Sequence, residues 1–336
     1  MSVLTVPENL PLNHNSLDWL MLFYPGTVLP YLVNSTYLPP ATVGYLNGEN
    51  LAKLLWYGQP LWLKAPTGIG FLLVNYSLWA YWIWQGLKRR FHNPMATILS
   101  KEQSYWVSGS FAVIAVGFTL QTTESYHLSD NFAVLQWLNL MLFLGLIALL
   151  SPHRQALQDW ARYRHRATKA HRNLIKDLIW GEKSPSPVAI AVNLAIVTGY
   201  TIPSILIFPL KEDKVPILLG LILSANLILI YAAIAQLMLL MRTPKRSIWA
   251  GGMVAAMVLF PLVTAAWLRM SPAQAPGLWL LSALPVVATE YATGTTIFLS
   301  LLGQWLAIAL VNFQMARQLR QAGKSQTKAL LSGSQG

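Results

Sequence analysis

A chain of 336 residues in which 54% of side chains are hydrophobic and only 11% charged falls well below the roughly 25% charge of soluble domains, which weighs against a water-soluble enzyme. Cysteine is absent, which excludes disulfides, thiolate metal sites and a cysteine nucleophile. The formal net charge of +12 raises nucleic acid as a partner, and the placement of those charges along the chain decides that question.

Residues 1–67 hold short apolar pieces such as Leu20–Tyr24 and Val28–Val33, broken by Pro25 and Pro30. None reaches the roughly 20 residues that a helix needs to cross a bilayer. The stretch reads as an extracytoplasmic or interfacial N-terminal segment. The opening MSVLTVPENLPLNH has no basic n-region and no continuous apolar h-region, so it does not read as a cleavable signal peptide. Export of such a tail without a leader leads to the expectation that further spans precede it in a longer protein.

Seven apolar runs then follow, at about Gly68–Leu87, Tyr105–Thr122, Phe132–Leu150, Val188–Pro209, Pro216–Met241, Ile248–Leu268 and Thr293–Met315. No charged side chain lies inside any of them, where each would cost roughly 2.5–3.5 kcal/mol. Only a helix satisfies all of its own backbone polar groups within one such segment, so the expected fold is all-α and polytopic, with about seven transmembrane helices. The 14 Trp and 13 Tyr suit two membrane–water interfaces.

The links between runs set the orientation. Lys88, Arg89 and Arg90 follow the first run, Arg242, Lys245 and Arg246 the fifth, and Arg317, Arg320, Lys324 and Lys328 the seventh. With Lys101 and the eight basic residues of 151–187, 19 of the 24 Lys and Arg fall on one side. By the positive-inside rule that side is cytoplasmic, with the C-terminus in and the N-terminal segment out. The basic excess is thus a topology signal, and nucleic acid is not an expected partner.

Two surface elements are predicted on the basic side. Asn93 is a cap and Pro94 a first helical residue for an interfacial elbow helix that runs to Glu102. In 151–187, Leu157, Trp160, Ala161, Ala167, Leu174, Ile175 and Leu178 recur at helical spacing with Arg162, Arg166, Lys169, Arg172 and Lys176 mostly elsewhere around the turn. This describes a cytoplasmic amphipathic helix. Such a helix can lie on anionic headgroups of the lipid bilayer, dock a cytoplasmic partner, or do both. For docking, the candidate contact residues are Trp160, Arg162, Tyr163, Arg164 and Arg166, since interface energy concentrates on aromatic and arginine side chains.

On the other side, residues 269–292 contain GLWLLSALPVVAT, too short to cross and return and broken by Pro285; an outer re-entrant hairpin is expected, covered by protein. Buried amides (Gln136, Asn139, Asn193, Asn226, Gln236, Gln304 and Asn312) read as interhelical hydrogen-bonding groups, and Gly251/Ala255 with Gly252/Ala256 as a small-residue packing face. Catalytic patterns are missing: the six histidines form no HExxH, there is no GxSxG, and AGKSQ at 322–326 lacks the leading glycine of a P-loop. No cofactor or metal is implied, and the chain is not expected to hydrolyse ATP.

The arrangement over about 93–324 resembles the membrane subunit of ABC-2-type transporters. The stretches WAYWIWQGLKRRFHNP, LSKEQSYW, RTPKRSIWAGG and LLGQWLAIALVNFQMARQLRQAGKS are similar to cyanobacterial members of that family. The resemblance implies an elbow at Asn93–Glu102, a coupling segment at 151–187 and the hairpin at 269–292 within a six-helix domain spanning 93–316. In front stand one additional span, 68–92, and the segment 1–67; a cytoplasmic tail, 317–336, follows. It further implies a permease subunit of an exporter, working with a separate ATP-binding subunit and a second membrane subunit, as a homo- or heterodimer. The bacterial plasma membrane or a thylakoid membrane would house it. A non-transporting scaffold or assembly factor of a photosynthetic or respiratory membrane is the alternative.

Overall fold

The computed structural model describes residues 55–61, 65–93, 96–120, 128–152, 154–166, 174–208 and 213–333. Residues 1–54, most of the predicted N-terminal segment, lie outside the described residues. Apart from a pair of two-residue strands, β1 (Leu55–Trp56) and β2 (Gln59–Pro60), the described regular structure is helical.

Eleven helices follow among the described residues: α1 (Ala65–His92), α2 (Lys101–Thr119), α3 (Leu128–Leu150), α4 (Arg154–Arg166), α5 (Leu174–Trp180), α6 (Ser186–Ile207), α7 (Lys214–Leu239), α8 (Arg246–Trp267), α9 (Pro276–Leu280), α10 (Val286–Thr289) and α11 (Gly294–Gly333). Five of them, α3, α6, α7, α8 and α11, contain stretches long and apolar enough to cross a membrane. Helices also form at the first two predicted spans, but neither α1 nor α2 is among the five. For α2 the reason is local: its first turn carries Lys101, Glu102, Gln103 and Ser104.

That first turn also corrects the predicted elbow. The chain from Ala96 to Ser100 is not helical. The helix starts instead where Ser100 Oγ accepts from Gln103 N at 3.1 Å and Gln103 Oε1 accepts from Ser100 N at 2.9 Å. This reciprocal box satisfies two of the free amides at a helix start, and it outcompetes the Asn93–Pro94 signal.

Helix α7 is the hub, packing against α3, α6, α8, α10 and α11. Its Asp213 cap accepts from Val215 N at 3.0 Å. The main core surrounds it, with Phe143, Leu146, Ile190, Tyr231 and Ala232 all essentially inaccessible. Buried amides pin neighbouring helices. Asn193 of α6 accepts from Ser108 and donates to Ser104, both on α2, and Gln236 of α7 accepts from Ser186 of α6. The small-residue face behaves differently from expectation. A side chain added at Gly251 or Gly252 would meet nothing within 4 Å, so this face of α8 packs on no other described helix.

Helices α9 and α10 form a short hairpin sunk into one end of the bundle. Leu280 and Ala288 are fully buried and cluster with Leu223 of α7 and Ile297 of α11. The break at Pro285 leaves the Val286 amide free at the start of α10, and Gln136 Oε1 of α3 accepts from it at 3.1 Å. At Gly220 a Cβ would stand only 2.6 Å from Val286 Cα; the hairpin seats because that position has no side chain. Gly220 lies about 9 Å along α7 from its first residue, at 1.5 Å per residue.

The β1–β2 turn docks at the same end. Tyr57 and Gly58 both take positive φ (51° and 71°), the backbone of a tight two-residue hairpin. Tyr57 holds that unfavourable conformation through its amide, which donates to Gly117 O at 2.8 Å, and its hydroxyl, 2.6 Å from that of Tyr200. A Cβ at Gly117 would overlap the Trp56 ring, so β1 also depends on a close backbone approach. Trp56, Phe71 and Phe118 stack edge to face beside it.

Candidate functional site

The opposite end of the bundle carries the predicted surface elements. Segment 151–187 forms two helices, α4 and α5, where one was expected; residues 167–173, including Ala167 of the predicted stripe, lie outside the described residues. In α4 the apolar stripe is used within the protein. Leu157 and Ala161, one turn apart, pack against Met315 and Leu319, one turn apart on α11, with Leu237 and Leu240 of α7 beside them. Leu157 is fully buried. Matching stripes at i and i+4 are what two packed helices require. The stripe is therefore not free to dip into lipid, and α4 is fastened to the middle of α11 and the C-terminal end of α7.

Three of the five candidate contact residues have described side chains. Trp160 is half-buried, and its indole N–H donates to Asp177 Oδ2 of α5 at 2.5 Å. Arg162 pairs with Asp159 on its own helix at 2.9 Å. Tyr163 points outward, 65% exposed. Arg164 and Arg166 occupy the last turn of α4; their side chains lie outside the described set. The structure thus joins Trp160 to the interior and leaves Tyr163 on the free surface.

Through Asp177 the site continues to α2. The last carbonyls of a helix have no partner within it, and at the end of α5 they are taken by α2. Lys101 Nζ donates to Leu178 O at 2.6 Å and to Ser184 Oγ at 2.5 Å, and Tyr105 OH donates to Ile179 O at 2.6 Å. A cation also complements the negative end of the α5 dipole. Lys101 is only 3% exposed. Burial pulls its ammonium down to about 8 from the usual 10.5, although the nearby Asp177 charge pulls the other way. A second tie joins α1 to the turn after α5, where Arg89 pairs with Glu182 at 2.5 Å and donates to Thr97 O at 2.8 Å.

Sequence reasoning missed Lys101, Asp177 and Ser184 as parts of this site. One signal was available. The basic segment 151–187 contains only three acids, Asp159, Asp177 and Glu182, and each of them has a partner in the structure. An acid retained among so many cations is a candidate for a specific contact.

The surface assembly is a set of packing contacts and hydrogen bonds. It can receive a contact on α4 and carry displacement to three helices at once: to α11 and α7 by packing, and to α2 by hydrogen bonds. No protein-family model matches the chain, no curated protein matches it, and no solved structure matches it.

Proposed function

We propose that this chain is the membrane-spanning permease subunit of an ABC-2-type exporter, driven by a separate ATP-binding subunit that docks on α4. In this reading α1 and α2 join the five apolar helices to make seven spans. The N-terminal segment is extracytoplasmic, α4, α5 and the C-terminal tail are cytoplasmic, and α9–α10 re-enters the membrane from outside. The host is a bacterial plasma membrane or a thylakoid membrane.

The observation that carries the reading is the attachment of α4. A helix that only rested on headgroups would turn its apolar stripe to lipid. Here the stripe is packed on Met315 and Leu319, and Trp160 is bonded to Asp177. ATP-driven transport requires a push on the membrane subunit, and a firmly attached surface helix transmits one. Tyr163 supplies an outward contact, with Arg162, Arg164 and Arg166 as further contact residues of the same helix; Trp160 holds α4 against α5. In this reading a second membrane subunit completes the exporter.

The test is recovery of an ATPase with the tagged, full-length protein from mild detergent. Tyr163→Ala with Arg164→Ala is expected to lower recovery at least tenfold, since contact residues of these types commonly contribute 2 kcal/mol or more. The charge-matched Lys176→Ala, which also removes one positive charge, should leave it unchanged. Lipid attraction alone would make the charges equivalent, at about 1 kcal/mol each. Recovery of no ATP-binding protein with the unmutated chain would favour the scaffold.

A further inference from the structure

Among the buried amides Gln136, Asn193 and Gln236 find partners, whereas Asn75 of α1 and Gln304 of α11 have none on either side-chain atom. Gln304 is 2% exposed, and neither its Oε1 nor its Nε2 has a hydrogen-bond partner among the described residues. Tyr231 of α7 is 1% exposed and its hydroxyl is likewise unpartnered. Groups so deeply buried are normally paired, and an exception needs a reason.

Both residues line the same cavity, a crevice of about 430 Å³ between α7, α8 and α11. That volume falls in the range of small-molecule sites, roughly 300–1,000 Å³. The rest of the wall is hydrocarbon, including Ile230, Met257 and Leu281, and no ionisable side chain other than the Tyr231 phenol takes part. The mouth is lateral. Phe260, at its rim, is 70% exposed, and all three walls are helices long and apolar enough to cross a membrane. In a bilayer the crevice therefore opens onto lipid chains.

We propose that this crevice is a binding site for an uncharged, bilayer-dissolved molecule carrying a carbonyl or hydroxyl oxygen on a hydrocarbon body. The wall selects against charge, because it offers no counter-ion and burying an unpaired ion is prohibitive. It also selects against bare hydrocarbon, which leaves the Gln304 amide and the Tyr231 hydroxyl unsatisfied. The broad last torsion of a glutamine lets the Gln304 amide turn toward the guest, whose oxygen then accepts its hydrogen bond. Entry is sideways from the membrane. The inference stands whether or not the protein is driven by ATP.

The probe is 4-decylbenzophenone, whose ketone serves both as hydrogen-bond acceptor and as photocrosslinker, with the full-length protein in lipid nanodiscs and adducts mapped by mass spectrometry. Adducts are expected to concentrate on the peptides that contain Met257 and Gly303. They should be displaced by 2-tridecanone and spared by tridecane. Gly303→Leu should abolish them. Gly303 lines the crevice and a Cβ there meets nothing within 4 Å, so the position has room for a larger side chain at the wall. Gln304→Leu keeps the volume and deletes the donor, and should weaken labelling about fivefold, the worth of one ordinary hydrogen bond. Adducts spread over the lipid-facing surface in proportion to exposure, or equal competition by tridecane, would mean that the crevice holds lipid tails only and would overturn the proposal. So would an unlabelled crevice together with a Gly303→Leu protein that has changed its oligomeric state, which would assign the face to a second copy of the chain.

Discussion

Gly220→Ala is expected to destabilise the protein by about 2 kcal/mol, although helix propensity alone predicts a gain of about 1 kcal/mol for this substitution. The added Cβ would lie 2.6 Å from Val286 Cα, a backbone atom that cannot swing aside as a side-chain end can. The hairpin must lift, at a cost of typically 1–3 kcal/mol for overpacking. Lifting also lengthens the bond from Val286 N to Gln136 Oε1, adding about 1 kcal/mol. Packing therefore wins over propensity. Gly145→Ala is the matched control, because a Cβ there meets nothing within 4 Å, and it should be neutral or stabilising. Thermal unfolding in mild detergent reads both. If Gly220→Ala were as stable as Gly145→Ala, the seating of α9 and α10 on α7 would be wrong.

The second large effect is on the pH dependence of stability. Lys101, outside the membrane-spanning segments, titrates near 8 in the folded protein and near 10.5 when free. Between those values the unfolded chain binds the proton that the folded chain has lost, so stability rises with pH through the window and is flat below it. The span of the window corresponds to roughly 3 kcal/mol at 1.36 kcal/mol per pKa unit. Other lysines and tyrosines titrate in the same range, so the comparison is with Lys101→Met. The stability difference between the native protein and the variant should change in favour of the native protein from pH 8 to pH 10.5. A difference that stays constant across this range would show that Lys101 is not held in a dry site at the end of α5.

Much of the bundle is legible in the sequence because the apolar runs of α3, α6, α7, α8 and α11 are long and uninterrupted. At α1 and α2 length and composition disagree. Helices form there, but the tryptophans and tyrosines of α1 and the polar first turn of α2 keep them short of the apolarity of the other five. The elbow was misplaced since two start signals compete within eight residues, and the Ser100–Gln103 box prevails. Pro285 announced the break between α9 and α10, but nothing in the sequence points from Val286 to Gly220. Likewise the stripe of α4 was readable as a stripe, whereas Met315 and Leu319, its partners, lie some 150 residues further on. Periodicity says that a face is buried. It does not say against what, and that is why Trp160 read as a free anchor when its indole is bonded to Asp177.

The proposed function requires α4 and the α9–α10 hairpin to lie on opposite sides of one membrane, with α4 inside. The native chain contains no cysteine, so single cysteines report without background. Tyr163 on α4 and Ala273, just before the hairpin, are both exposed. In whole bacterial cells a membrane-impermeant maleimide should label Ala273→Cys and leave Tyr163→Cys untouched until the membrane is permeabilised. Labelling of Tyr163→Cys in intact cells would contradict the assignment and remove α4 from the reach of any cytoplasmic ATP-binding partner.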